Sequence, residues 1–235
     1  MRWREGLTFK LHDALIRAAF RGIKQIGLLV AYDHSDDGYA LLRGLMGDSQ
    51  RLQVLARRPT SRAALALGWM EAAVRDLEDR SRTAKRFGQE TFAAGIESII
   101  GPQRIALDGV QRELGIRRRQ RTPMDGRQLA IAAGHPDDEL DWVIASDPTH
   151  GSLATSLLHD RRQGVDPRPG ETAGVVIGGN DPGWRATVAD RSTRHMVRAT
   201  AAMAQVCELT NVAEIIAYGV EIERRLDAEE IPGSD

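Results

Sequence analysis

The sequence has a single cysteine, few lysines and no long apolar run. Cys207 is the only cysteine among 235 residues, so the chain cannot form an internal disulfide bond or a zinc site built from several thiolates. No window approaches the roughly eighteen apolar residues that a membrane-spanning helix needs. The first ten residues lack the apolar segment of a secretory signal. Together these absences predict a cytoplasmic protein that does not enter a membrane.

Charge is unevenly distributed along the chain, although the net charge is only −1. Residues 1–122 contain 22 basic and 14 acidic side chains, whereas residues 123–235 contain 10 and 19. A basic half can contact nucleic-acid phosphates, or it can contact acidic surface on another copy or on a partner protein. The leading hypothesis is therefore a non-enzymatic assembly protein without a cofactor. It would self-associate or dock on a partner, with nucleic acid as a further ligand.

Helical periodicity dominates the sequence and is clearest over residues 62–87, where apolar side chains recur at spacings of three and four. Two shorter helices are predicted on either side of Gly101 and Pro102, and two more after Ser192. Four short segments are predicted as strands, the last two forming a hairpin around Asn180 to Gly183: 26–32, 51–56, 173–178 and 184–188. The predicted fold is a helix-dominated α/β or α+β protein with a small sheet.

An arginine-rich stretch suggests a domain boundary. Residues 117–126 contain no large apolar side chain except Met124, and the charge balance changes sign there. This predicts a basic, mainly helical region over 1–116, a linker, and an acidic mixed region over 127–235, with one compact domain as the alternative. Four linker side chains are the predicted contacts for nucleic acid or an acidic partner: Arg117, Arg118, Arg119 and Arg121.

The string His135-Pro136-Asp137-Asp138-Glu139 follows an apolar segment. It resembles the HPDDE motif of the zinc-dependent N-acetylglucosaminyl deacetylase family, which follows that family's first strand. The resemblance implies that His135 and Asp138 are zinc ligands and that Asp137 is the general base that activates a metal-bound water. A third ligand would have to come from elsewhere in the chain, and spacing does not choose among the candidates His150, His159 and His195.

The same letters have two other interpretations. Proline at the first helical position followed by carboxylates is a common way for a helix to begin. The positions of Ala130, Gly134, Leu140 and Val143 also fit a helix-turn-helix, although the second helix would then present several carboxylates to DNA phosphates.

A third motif lies near the start of the chain. The segment Ile26 to Leu42 resembles the first strand and helix of the universal stress protein family, in which an acidic residue at the end of the strand contacts adenine. The resemblance implies that Asp33 contacts an adenine nucleotide such as ATP.

Overall fold

The computed structural model describes residues 2–31, 35–115, 125–150 and 182–229. Within these ranges every regular element is an α-helix, and none of the described helices is long and apolar enough to cross a membrane. In chain order the helices are α1 (Arg2–Ala31), α2 (Ser35–Arg57), α3 (Arg62–Arg86), α4 (Glu90–Leu114), α5 (Gly126–Ala133), α6 (Asp138–His150), α7 (Pro182–Val206) and α8 (Val212–Glu229).

The chain forms two compact units that are discontinuous in sequence. The first unit comprises residues 1–13 and 58–124, and the second comprises 14–57 and 125–235. Residues 14–57 therefore share a unit with the C-terminal part of the chain. The predicted linker falls mostly on residues 116–124, outside the described ranges, and the division into 1–116 and 127–235 stays a prediction.

In the first unit α3 packs against α4 around an apolar cluster of Leu67, Val74, Leu107 and Val110. Arg104 on α4 donates hydrogen bonds to the carboxylate of Glu78 on α3 at 2.6 to 2.8 Å. The predicted helix over 62–87 is confirmed. The predicted break at Pro102 is wrong, because α4 continues through it. Proline removes one hydrogen bond of the helix, and the packing of Leu107 and Val110 beyond it outweighs that loss.

The second unit is organised around α2, which packs against α5, α6 and α7, while α8 packs against α7. Large apolar side chains of α2 that are almost fully buried form much of its core: Leu42, Leu45, Met46, Leu52, Val54 and Leu55. Because α2 has neighbours on several sides, its apolar residues do not form one narrow stripe.

Three of the four predicted strands are wrong. Residues 26–31 belong to α1, where Ile26 is buried but Leu28 is half exposed, so the run is not buried on all sides. Residues 51–56 belong to the enclosed helix α2, and a short apolar run cannot distinguish such a helix from a buried strand. Residues 184–188 belong to α7, which begins at Pro182 where a turn was predicted. Residues 173–178 lie outside the described ranges.

Candidate functional site

The α2 helix carries a row of polar side chains into the interior of the second unit. Ser49, Gln50 and Gln53 are all buried. The Ser49 hydroxyl donates to the backbone oxygen of His195 at 2.7 Å, and Gln53 Nε2 donates to Ser49 Oγ at 3.1 Å. Polar groups removed from water need such partners, so this row determines where the side chains of α6 and α7 meet α2.

The HPDDE string lies between two helices. The α5 helix begins with a capping box at Asp125 and ends at Gly134, whose φ of 84° is the left-handed conformation that favours glycine. The backbone N–H of Asp138 donates to the carbonyl oxygen of His135, and α6 begins at Asp138. Carboxylates in this first turn are stabilised by the helix dipole. A helix therefore begins within the string, although Pro136 lies in the preceding turn and not at the first helical position.

Asp138 is held from two sides. Gln50 Nε2 donates to its Oδ2 at 3.1 Å, and Arg198 Nη1 donates to its Oδ1 at 3.1 Å. The other end of the Gln50 amide accepts a hydrogen bond of 2.9 Å from Trp142 Nε1. The Asp138 carboxylate is thereby oriented by residues of α2 and α7 although it lies on α6.

Asp138, Asp141 and His195 meet in the interior of the second unit. One potential ligand atom from each of the three lies within 4.8 Å of the other two, and the side chain of His195 approaches Asp138 with 4.0 Å between Nε2 and Oδ2. The two aspartates are three residues apart on α6, so they share a helix face. All three residues are buried, with exposed fractions of 7%, 8% and 1% respectively.

Arginines of α7 surround these residues. Arg191 Nε lies 3.5 Å from Asp141 Oδ1, and Arg198 extends from Asp138 to Glu223 on α8, where its Nε donates at 2.6 Å. Arg194 pairs with Asp190 at 2.9 Å. Among the described residues this network contains four carboxylates and three guanidinium groups, namely those of Asp138, Asp141, Asp190 and Glu223 and those of Arg191, Arg194 and Arg198.

Burial changes the protonation of this cluster. Desolvation lowers the pKa of His195 to about 4, although the nearby Asp138 carboxylate acts in the opposite direction. The imidazole is therefore neutral at neutral pH, which is the form that binds metals. Desolvation also raises the pKa of Asp141, opposed by the positive charge of Arg191. The buried Nδ1 atom of His195 has no hydrogen-bond partner among the residues that the structure describes.

A groove of about 280 Å³ adjoins the cluster between α2, α7 and α8. His135 and Arg198 line it together with Arg57 and Glu223. Burial, followed by the positive charge of Arg198, lowers the pKa of His135. The groove and the buried cluster share the side chain of Arg198, which pairs with Asp138 on one side and Glu223 on the other.

The residues predicted from sequence are placed as follows. Asp138 lies in the buried cluster, His135 lines the groove, and Asp137 is exposed to solvent. His195 is the one histidine among the three candidates that the structure brings to Asp138; the side chain of His150 is not described. Asp33, His159 and the arginines at 117–121 lie outside the described ranges.

Sequence reasoning missed Asp141 and Gln50 and could not select His195. The sequence does contain a pattern that indicates Asp141, because it follows Asp138 at a spacing that places both residues on one face of a helix. Comparison with known proteins adds no further assignment, because no family model, curated protein or solved structure matches the chain.

Proposed function

We propose that this protein binds one divalent transition-metal ion through Asp138, Asp141 and His195. The environment of His195 carries the proposal. Its neutral imidazole is buried beside the two buried carboxylates of Asp138 and Asp141. Its Nε2 atom faces Asp138, 4.0 Å from Oδ2, so a metal ion placed between them would be coordinated through Nε2. Such coordination needs the neutral ring that burial provides.

The donor set indicates the kind of metal. One imidazole nitrogen with two carboxylate oxygens suits zinc, iron, cobalt or nickel, whereas magnesium and calcium prefer oxygen ligands alone. Bonds of about 2.0–2.2 Å in a tetrahedral arrangement separate ligand atoms by roughly 3.4 Å. The present 4.0 Å between His195 Nε2 and Asp138 Oδ2 reaches that value after a small side-chain movement. Three protein ligands leave a coordination position open.

The surrounding groups support this assignment. Gln50 and Arg198 hold the Asp138 carboxylate in one orientation. Such outer hydrogen bonds commonly orient the ligands of metal sites.

Titration of the chelator-treated full chain with Zn²⁺, followed by calorimetry and by elemental analysis after desalting, tests the proposal. We expect one zinc ion per chain and weaker binding of Mg²⁺. Asp141→Asn and His195→Gln should each lower the zinc affinity by about 100-fold or more, because removal of an outer hydrogen bond already costs up to about that much.

Two matched variants serve as controls. Asp190→Asn removes a carboxylate of the same network that is not a proposed ligand, and His135→Gln removes the histidine that the deacetylase resemblance implicates. Both should retain zinc. A wild-type protein that binds no zinc contradicts the proposal, and so does loss of zinc in His135→Gln with retention in Asp141→Asn.

A second candidate function is electrostatic assembly, which the charges of the two units favour. The first unit contains 16 basic and 10 acidic residues, and the second contains 16 and 23. Ion pairs in the first unit, such as Arg80 with Asp76, join residues of that same unit. We propose that basic surface of one copy, including the arginines at 117–121, contacts acidic surface of another copy.

Sedimentation velocity at low salt and at about 1 M salt, where the Debye length is about 3 Å, tests this assembly. We expect oligomers at low salt and monomers at high salt. Replacing the four arginines at 117, 118, 119 and 121 by glutamine should abolish the oligomers. As a control, glutamine at Arg224 and Arg225, which pair with Glu221 in the acidic unit, should retain them. Monomers at every salt concentration contradict assembly.

A further inference from the structure

The groove beside the buried cluster is mainly apolar on two sides. Small and branched side chains of α7 and α8 line it: Val197, Ala201, Ala202, Ile216 and Val220. Gly219 also lines the groove, and a Cβ added there would come within 2.9 Å of Val197 Cγ1, so a larger residue at 219 would displace the lining. A mostly apolar concave surface with a few polar groups is typical of small-molecule sites.

The positive charges of the groove are not equivalent. Arg198 is compensated because it pairs with both Asp138 and Glu223. Arg57, at the end of α2, makes no ion pair with any residue that the structure describes. Among the charged side chains that line the groove, Arg57 therefore supplies the positive charge that no described carboxylate pairs with.

The absence of a side chain at Gly134 lets the Arg57 guanidinium lie against the backbone there. A Cβ at this position would collide with the Arg57 guanidinium, so the guanidinium lies directly against the glycine. Gly134 is also the left-handed residue that ends α5, which makes glycine favourable there for a second reason. Glycine at 134 thus leaves room for the exposed guanidinium of Arg57 at the groove.

We propose that this groove binds a small amphipathic carboxylate. The carboxylate of the ligand pairs with Arg57, whose planar guanidinium forms two parallel hydrogen bonds with such a group. The apolar body of the ligand lies against Val197, Ala201 and Ile216. A cationic ligand is disfavoured by Arg57, and a fully polar ligand gains little from the apolar lining.

This inference goes beyond metal binding and does not depend on it. The proposed metal ligands are not among the residues that line the groove. Failure of one proposal is therefore distinguishable from failure of the other, because Asp141→Asn removes a metal ligand and Arg57→Gln removes a groove charge.

Calorimetric titration of the full chain with octanoate, octanol and octylamine tests the proposal, since these probes share a chain length and differ in charge. We expect saturable binding of one octanoate and affinities for octanol and octylamine that are about tenfold lower, the effect of one charge-assisted hydrogen-bonding group. Arg57→Gln should lower octanoate affinity by about the same factor. Arg57→Lys should retain part of the octanoate affinity.

Further variants test whether octanoate binds in the groove or on another surface. Arg57 and Arg58 are both exposed, but only Arg57 lines the groove, so Arg58→Gln should leave octanoate binding unchanged, as should Asp141→Asn. Ala201→Leu fills the groove and should abolish binding. The proposal is overturned if octanoate does not saturate, if octanol binds equally well, or if Arg57→Gln or Ala201→Leu binds octanoate like the wild type.

Discussion

His195 illustrates how the position of a single residue decides its chemistry. On the surface an imidazole titrates near neutral pH, but on the buried face of α7 desolvation lowers its pKa to about 4. The groups that act on it electrostatically come from two helices and a connecting segment: Asp138, Arg198, His135 and Arg191. The sequence around His195 contains Arg191 and Arg198, but it shows neither the burial that is the main cause of the shift nor the approach of Asp138 and His135 from other segments.

The shifted pKa predicts the pH dependence of the metal-free protein. Between about pH 6.5 and 4 the unfolded chain protonates His195 while the folded chain does not. Stability therefore falls as the pH falls through this window, by up to about 3 kcal/mol. Urea unfolding at a series of pH values should show this loss, and His195→Gln should reduce it.

Two other groups, His135 and Asp141, also contribute to the pH dependence of stability. The pKa of His135 is also lowered, so part of the pH dependence should remain in the variant. Asp141 acts in the opposite direction, because a raised carboxyl pKa makes the folded state bind the proton more tightly. Identical pH dependence of His195→Gln and the wild type would show that His195 is not desolvated.

At the scale of elements, α2 is the structural centre of the second unit. It supplies both apolar core residues and the polar row, and Gln50 connects it to α6 through hydrogen bonds with Asp138 and Trp142. Burial of a glutamine costs free energy unless its amide nitrogen and oxygen form hydrogen bonds. Both atoms of the Gln50 amide do so.

Gln50→Leu should destabilise the protein by about 2–4 kcal/mol, because it leaves Trp142 Nε1 and one oxygen of Asp138 without their buried partner. The free energy of unfolding in urea measures this change. Gln103→Leu, on the exposed surface of α4, is the matched control and should change stability by less than about 0.5 kcal/mol. Equal effects of the two substitutions would contradict the role assigned to Gln50.

How well the sequence predicts a helix depends on how many of its sides are buried. The pattern over 62–87 identifies α3 because one face is buried and the other carries charges. The run 51–56 was predicted as a strand because α2 is buried on several sides, which hides the helical period. Pro102 was predicted to end a helix, whereas tertiary packing continues α4 through it.

At the scale of the whole molecule, the second unit assembles its site from segments far apart in the sequence. Gln50 and Asp138 are separated by 88 positions, and Asp138 and Arg198 by 60. The local string predicts Asp138 as a site residue together with His135, which is near in the chain. The structure brings His195 to Asp138 instead, and no local pattern contains that contact.

The division of charge is a second property of the whole chain. The sequence suggested two oppositely charged halves, and the two compact units retain opposite net charges although residues 14–57 belong to the acidic unit. Electrostatic assembly remains a proposal about surfaces, and it is independent of the buried cluster of the second unit.

The most direct test of the central claim is the X-ray absorption spectrum of the zinc-loaded full chain. The account predicts a first shell with one imidazole nitrogen and carboxylate oxygens at about 2.0–2.2 Å, and loss of the imidazole scattering in His195→Gln. A shell of oxygen atoms alone, or an imidazole signal that persists in His195→Gln and disappears in His135→Gln, would contradict it.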